Sequence, residues 1–394
     1  MKVPASGAVL GPEEKSAMHA VVESGWLTAG PINRQFEESL EDFTQIKHVR
    51  TCNSGSSANL LAVAAMVGSG YWKAGDEIIT TAVGFPTTVN PLLLYGLVPV
   101  FVDVEIGTYV PNFNSVLSCL NETSKIAGSM YGHTLGNPVP HRCHWGNHVV
   151  DSCDALGSEI ERKHVGHGAK ISTCSFFPAH HITTGEGGAV FTNDSKLVRT
   201  IESIRDWGRD CYCIPGANNT CGKRFCQQFG ELPYGFDHKY TFTHLGYNLK
   251  MNEVGAACGL EQMKKLPSFV EARRRNFDFL WARLEHLQDR LILPVATQDT
   301  RPSWFGFPIT LKETGLRNHM QRFLDERGVD SRLLFGGNLT RQPYMKGRDF
   351  RISGSLENSD KIMEDSFWIG LHPQLSEEQL VYSCEMIEWG LKEL

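Results

Sequence analysis

Residues 77–103, EIITTAVGFPTTVNPLLLYGLVPVFVD, set two short β-branched runs, at 77–80 and 98–103, on either side of a helical pattern at 86–96. Strand, helix and strand in that order is the unit of a parallel sheet, because parallel neighbours need a long crossover and antiparallel ones do not. Pro86 suits the first helical turn, where its missing N–H costs nothing. The same rhythm runs outward, with a helix at 57–67 and strands near 126–130, 147–151, 171–176 and 188–192. The expected fold class is α/β, with a mixed, mostly parallel sheet.

The rhythm stops at 206–247, a cysteine-rich excursion full of Gly, Asn, Pro and aromatic residues with no clear period. Excursions of that length are usually functional. Amphipathic stretches at 249–266 and 268–288 follow, then SWFGFPITL and helices at 316–327 and 376–392. They suggest a large domain over 1–267 and a smaller C-terminal α/β domain over 268–394. The segment GHTLGNPVPHRCHWGNHVVD, at 132–151, is short for the crossover helix that parallel strands ordinarily require.

With 394 residues, 41% of them apolar, the chain can build a large core. No apolar run approaches the ~20 residues needed to span a bilayer, so no membrane role is expected. The N-terminus lacks the apolar stretch of a signal peptide, and the chain is expected to stay in the cytoplasm. A net charge of -6 without a basic cluster argues against nucleic acid as a partner. In that setting eleven cysteines read as buried thiols or metal ligands rather than disulfides.

Three strand ends gather polar residues. TCNSGSSANLLAVAAM places Ser54, Gly55, Ser56 and Ser57 before an apolar helix, a place where backbone N–H groups and the helix dipole suit a phosphate. The same serine also suits a plain N-cap. In VVDSCDALGS, Asp151 ends a strand expected to be buried, so its carboxylate needs a partner; a pyridinium nitrogen would be one, and a turn cap is the other reading. SFFPAHHITTGEGGAVF ends a strand in a turn with two histidines, followed by Gly185, Gly187 and Gly188.

Taken in order, SGSSAN, GFPTTVNP, DSCDALGS, SFFPAHHITTGEGGAVF and HLGYNLKMNEVGAACGLEQM resemble the sugar aminotransferase family of fold type I pyridoxal-phosphate enzymes over nearly the whole chain. In that family the position of His180 is normally the lysine that links covalently to the cofactor. A histidine there marks a subgroup of sugar 3-dehydratases, which hold pyridoxamine 5′-phosphate without a covalent tether. The resemblance implies that Gly55, Ser56 and Ser175 contact the phosphate, Phe85 stacks on the ring and Asp151 meets the pyridine nitrogen. It implies that Asn248 reaches the phosphate of a neighbouring subunit, hence a homodimer.

Cys153, Cys211, Cys213 and Cys221 follow the pattern C-x57-C-x-C-x7-C. Spacing alone leaves zinc, an iron–sulfur cluster and unligated thiols open. The resemblance favours a [2Fe–2S] cluster on these four, while Cys226 and Cys258 read as structural.

The activity so implied is removal of the 3-hydroxyl from a nucleotide-linked, CDP-type 4-keto-6-deoxyhexose, with His180 as base and electrons arriving from an iron–sulfur flavoprotein reductase. An ordinary imidazole, with a pKa of about 6.5, suits base work near neutral pH. Asp154 is a candidate for orienting His180 or the substrate, and Arg341 and Tyr344 for meeting the sugar diphosphate. Phe177 stands where a tyrosine or histidine is expected from the family. A GDP-sugar 3-dehydratase without a cluster, an ordinary aminotransferase and a non-catalytic iron–sulfur protein are the competing readings. The four cysteines argue against the first, and His180 against the second.

Overall fold

The computed structural model describes residues 1–213, 217 and 219–393. The expected α/β alternation forms an eight-stranded sheet in the order β1 (His48–Cys52), β9 (Gly188–Thr192), β8 (Ile171–Ser175), β5 (Val149–Asp151), β4 (Ile126–Gly132), β2 (Glu77–Thr81), β3 (Val98–Val102) and β14 (Arg351–Ile352). Pairing is parallel from β8 to β14, and β9 alone runs against the rest. A second sheet, β10 (Leu291–Ile292), β12 (Gly306–Leu311), β15 (Ser366–Gly370) and β13 (Ser331–Leu333), lies in the C-terminal part and is antiparallel throughout.

Both faces of the large sheet are covered, as a sheet with near-continuous apolar strands requires. Helix α3 (Gly55–Gly68) is nearly all apolar and buries Ala58, Leu61, Ala62, Val63, Ala65 and Met66 completely or nearly so. It packs against α4 (Pro86–Leu94), α6 (Ser195–Arg205) and the strands β8 and β9. On the far side, Phe36 of α2 (Pro31–Thr44) meets Phe176 at a ring distance of 5.2 Å.

The link from β4 to the parallel neighbour β5 contains two 3₁₀ turns, Thr134–Gly136 and His141–Cys143, and no α-helix. Buried Leu135, Val139 and Cys143 fill the space a crossover helix would occupy. The two amphipathic stretches expected at 249–266 and 268–288 are instead one helix, α7 (Glu253–Leu284), which runs through Pro267 and through the expected division at 268. Proline there forfeits one backbone bond. The burial of Met263, Leu266, Phe269 and Val270 on either side offsets that loss.

Candidate active site

The carboxyl ends of the parallel strands open into a cleft of about 770 Å³. This is the position at which open α/β sheets bind ligands. Strand β1 leads to Ser54, whose Oγ accepts the N–H of Ser57 at 3.1 Å. The N–H groups of Gly55 and Ser56 precede that bond, and a helix cannot satisfy them from within. A Cβ on Gly55 would lie 2.5 Å from the Cβ of Ser175, so only glycine lets the helix start approach the end of β8. A Cβ on Gly188 would likewise fall 2.4 Å from the carbonyl oxygen of Ser54. The result is a narrow cradle of backbone N–H groups and hydroxyls, suited to a phosphate.

Asp151, at the end of β5, is buried and held from three sides. Asn59 donates to its Oδ2 at 2.7 Å and Thr88 to the same oxygen at 2.6 Å, while the N–H of Cys153 donates to Oδ1 at 3.1 Å. Asn59 is itself aligned by Thr173, which donates to its Oδ1 at 2.6 Å. The strand ends therefore fix the carboxylate before any ligand arrives. Asn59 and Thr88 lie inside SGSSAN and GFPTTVNP, but those motifs give no sign that both serve Asp151.

His180 lines the cleft on the turn after β8, where its N–H donates to the carbonyl of Phe177 at 2.9 Å. Its Nδ1 is buried, lacks a hydrogen-bond partner and stands 3.5 Å from Oδ1 of Asp154. Burial, then the nearby Arg273 guanidinium, pushes the imidazole down to about 3, well below the ordinary basicity expected from sequence. Burial and the charge of Asp151 push the Asp154 carboxyl up to about 8. Near neutral pH the pair is thus a neutral imidazole beside a protonated carboxyl.

Arg273, unremarked in the sequence, is completely enclosed. It donates to the carbonyls of Trp304, Phe305 and His180, the last at 3.2 Å, and so ties the histidine turn to the second sheet. No motif surrounds it; only the fold brings those carbonyls together.

Phe85 and Phe177 line the cleft and are about half exposed. Among the described residues that line it there is no lysine. Gly55, Ser56, Phe85, Asp151, Asp154, Ser175 and His180 are therefore brought together, with Cys153 beside Asp151. Phosphate cradle, carboxylate floor and aromatic wall fit pyridoxamine 5′-phosphate, and the unpartnered Nδ1 fits a histidine that acts rather than braces.

The other expected residues lie elsewhere. Asn248 forms a bridge with Asp206 at the root of the excursion and accepts from Lys250 at 2.8 Å. Arg341 borders a separate cavity and is engaged by Asp360 at 3.0 Å and Glu364 at 3.3 Å. Tyr344 packs against the cluster of Phe101 and Met345. Neither lines the main cleft. Cys211, Cys213 and Cys221 border a small cavity of their own with Arg224 and His238, apart from Cys153. Among the described residues no three His, Cys, Asp or Glu side chains are spaced to hold a metal ion. Within one chain, then, the four thiols do not fit a common cluster.

The sequence model of the DegT/DnrJ/EryC1/StrS aminotransferase family matches residues 9–388. A lipopolysaccharide biosynthesis protein, RfbH of Salmonella typhimurium, is 50% identical over 98% of this chain and 91% of its own length. A dTDP-4-dehydro-2,6-dideoxy-D-glucose 3-dehydratase of Saccharopolyspora spinosa is 44% identical over 97% of this chain and 85% of its own. Among solved structures, the GDP-4-keto-6-deoxy-D-mannose-3-dehydratase of E. coli with bound hydrated PLP superposes with a TM-score of 0.86. It covers 98% of this chain and 99% of its own at 26% identity. No described helix is long and apolar enough to cross a membrane.

Proposed function

This chain belongs to the DegT/DnrJ/EryC1/StrS aminotransferase family, and from that premise we propose that it is a 3-dehydratase of nucleotide-linked 4-keto-6-deoxyhexoses that holds pyridoxamine 5′-phosphate untethered. The observation that carries this reading is the histidine. A cleft with every other part of the cofactor seat has an imidazole on its reactive turn and no lysine among its described lining residues. When bound, the cofactor supplies an amine for the 4-keto group and a protonated ring that draws off electrons so that the 3-hydroxyl can leave.

The residues divide the work as their surroundings dictate. Gly55, Ser56 and Ser175 anchor the phosphate end, and Asp151, fixed by Asn59 and Thr88, keeps a proton on the ring nitrogen. Phe85 covers one face of the ring. His180, neutral at its buried site, accepts a proton, and Asp154, held protonated beside it, has one to give. Two groups whose surroundings push their proton affinities apart in this way make an acid–base pair. Taking a proton at one and releasing it at the other leaves the net charge of a buried site unchanged, which a low dielectric favours.

The reading extends to a CDP-linked substrate and a homodimer in which Asn248 meets the partner's cofactor phosphate. The cysteine pattern extends it further to a [2Fe–2S] cluster served by an iron–sulfur flavoprotein reductase, for which Cys153 would have to come nearer to Cys211, Cys213 and Cys221 than it stands in one chain. Support for the cluster is the cysteine pattern, while the near-full-length likeness to a dTDP-sugar 3-dehydratase and to a lipopolysaccharide biosynthesis protein supports a nucleotide-linked deoxysugar substrate without selecting the nucleotide. The place in metabolism is deoxysugar formation for a surface polysaccharide.

The test is spectroscopic and chemical. Pyridoxamine phosphate added to purified protein should give a near-ultraviolet band that dialysis removes, and borohydride should tether no pyridoxal phosphate to the chain. CDP-, dTDP- and GDP-linked 4-keto-6-deoxyhexoses are then compared for loss of the 3-hydroxyl. Covalent capture of pyridoxal phosphate on a lysine, with amino transfer to the sugar, would replace this reading by an aminotransferase. Dehydration of the GDP-sugar alone, by iron-free protein with glutamate as amino donor, would remove the CDP and cluster assignments and leave the rest.

A further inference from the structure

A sugar nucleotide brings its diphosphate into a cleft that already seats one phosphate and holds the carboxylates of Asp151 and Glu186. Like charges crowded into a partly enclosed site repel one another, so a cation is needed where the diphosphate rests. The phosphate cradle offers none, being made of backbone N–H groups and hydroxyls. Arg341, expected from the sequence to meet the diphosphate, lies outside the cleft with its guanidinium engaged by Asp360 and Glu364. Arg273, behind the histidine turn, is already bonded to three carbonyls.

Among the described residues that line the cleft, Arg332 is the one lysine or arginine. It sits in the middle of β13, opposite Trp368 of β15. Residues directly opposite in an antiparallel pair put their side chains on the same face. Trp368 also lines the cleft, packed on Phe305 at a ring distance of 5.4 Å, so the register turns Arg332 toward the cleft. Its Nη1 donates to the carbonyl of Ser331 at 2.8 Å, and among the described residues it has no carboxylate partner. Most of its N–H groups are thus left for a ligand. A guanidinium fork matches phosphate oxygens in shape as well as in charge.

The strand that carries it is tied down on both sides. The indole N–H of Trp368 donates to the carbonyl of Leu333 at 3.0 Å. Just beyond β13, the N–H of Gly336 donates to the carbonyl of Gly84 at 3.1 Å, and Phe335 meets the ring of Phe85 edge-on at 6.1 Å. Phe335 holds a left-handed φ of 51°, which a residue with a bulky side chain keeps only where its surroundings enforce it. Arg332 therefore stands on the second sheet at a set reach from the cofactor seat on the first.

We propose that Arg332 anchors the diphosphate of the substrate, so that the large sheet carries the cofactor and the small sheet the charged part of the sugar nucleotide. This rests on the nucleotide-sugar reading above and names the cation that reading lacks. The fork meets phosphate and not the base, so CDP-, dTDP- and GDP-linked sugars all depend on it. It holds the substrate equally before and during the reaction, and its loss acts on affinity rather than on proton transfer.

Titration calorimetry on protein loaded with pyridoxamine phosphate tests it, with CDP, dTDP and GDP as probes and the matching nucleoside monophosphates beside them. For whichever diphosphates the wild type binds, Arg332→Gln should weaken binding by about tenfold to a hundredfold, the worth of hydrogen bonds to a charged group, and the monophosphates should lose less. Arg332→Lys, which keeps the charge and loses the fork, should fall between. Added salt should narrow the gap between wild type and Arg332→Gln, because the fork is exposed. With the 4-keto-6-deoxyhexose of the same nucleotide, KM should rise by a similar factor while kcat stays within a few-fold. Affinity for pyridoxamine phosphate, followed by fluorescence, should hold in both variants and doubles as the check on folding.

Equal diphosphate binding by the wild type and both variants overturns the assignment. So does a loss confined to kcat, or a loss of cofactor affinity as large as that of the diphosphate, which would make Arg332 a brace of the cleft. If Arg332→Gln loses affinity for glutamate and keeps it for the diphosphates, the arginine holds an amino-acid carboxylate and the assignment falls. A wild-type protein that binds pyridoxamine phosphate but none of the diphosphates or sugar nucleotides removes the nucleotide-sugar reading, and this inference with it.

Discussion

The main cleft and the cysteine excursion are two sites built on opposite plans. In the cleft, each functional group stands at the end of a strand or the start of a helix, and Asp151 is fixed by partners on α3, α4 and the turn after β5. Among the described residues of the excursion there is no regular element beyond the 3₁₀ turn His238–Tyr240, and Phe225, Tyr234, Tyr240 and Phe242 are exposed. The contrast teaches that groups set at strand ends are held in place by their own sheet, whereas side chains on an irregular loop are left to solvent. Variants in the cleft should therefore alter cofactor binding or chemistry, whereas variants in the excursion should leave both as they are and change only what the excursion itself holds.

The largest effect is expected at His180. His180→Asn removes the proton acceptor from a cleft that otherwise keeps its shape, and turnover should fall by about 10²–10⁴-fold, the usual contribution of a positioned acid or base. The dissociation constant for pyridoxamine phosphate, measured by fluorescence titration, should stay within a few-fold. Cys213→Ser is the counterpart in the excursion: cofactor affinity should be untouched while iron is lost. A His180→Asn protein that loses its cofactor but turns over normally when saturated with it would erase the distinction.

Acid should come next. Burial pushes His133 and His180 down to about 3 and His164 and His372 down to about 4. Each is neutral when folded and takes a proton near pH 6.5 when unfolded, so the unfolded chain binds more protons below that point. Stability is full above about pH 6.5 and falls as pH drops toward 4, by up to about 1.4 kcal/mol per unit for each histidine. Asp154 works in the other direction, because its folded form keeps a proton up to about 8 and the unfolded form gives it up near 4. Asp154→Asn should thus gain on the wild type in urea midpoint as pH rises from 4 to 8. A flat difference would show that Asp154 is ionised in its site.

Much of the cleft was legible in the sequence because it follows strand order. SGSSAN, DSCDALGS and SFFPAHHITTGEGGAVF each sit where a strand gives way to a turn, and the sheet brings those turns together. Pairings between distant elements were not legible. Nothing near Arg273 announces that its guanidinium will meet the carbonyls of Trp304, Phe305 and His180. The stretches 249–266 and 268–288 read as separate, and a proline between them has a plain local cost, while the burial that offsets it depends on α2, β8 and β9. Arg341 looked like a phosphate binder because its acidic partners, Asp360 and Glu364, arrive from a later helix. In the excursion the cysteine spacing was visible, and the separation of Cys153 from its three companions was not.

Arg273→Lys tests how far the cleft depends on the second sheet. One guanidinium nitrogen serves Trp304 and Phe305 and the other serves His180; a single ammonium nitrogen cannot stand in both places, so about 2–3 kcal/mol of stability should be lost, with the midpoint of urea unfolding moving down at an unchanged slope. The loss belongs to the cleft, where the arginine holds the His180 turn. The pH dependence of turnover should therefore shift as well, which an arginine serving only as a brace would not cause. Subunit pairing and iron content should stay as they are.

The smallest effect, and the finest probe of the comparison, is Thr88→Val. The two side chains have nearly the same shape, so the substitution deletes one hydroxyl and leaves the packing of α4 on the sheet. That hydroxyl donates to Asp151 at 2.6 Å, and a hydrogen bond to a charged group is worth about 1.5–3 kcal/mol. Asn59 and the N–H of Cys153 still hold the carboxylate, so the lower end of that range is expected. Cofactor affinity should weaken by about tenfold, because the ring nitrogen then meets a carboxylate held less firmly in place. Unchanged affinity in Thr88→Val would mean that Asp151 does not face the ring, and the cleft would lose the preorganisation that sets it apart from the excursion.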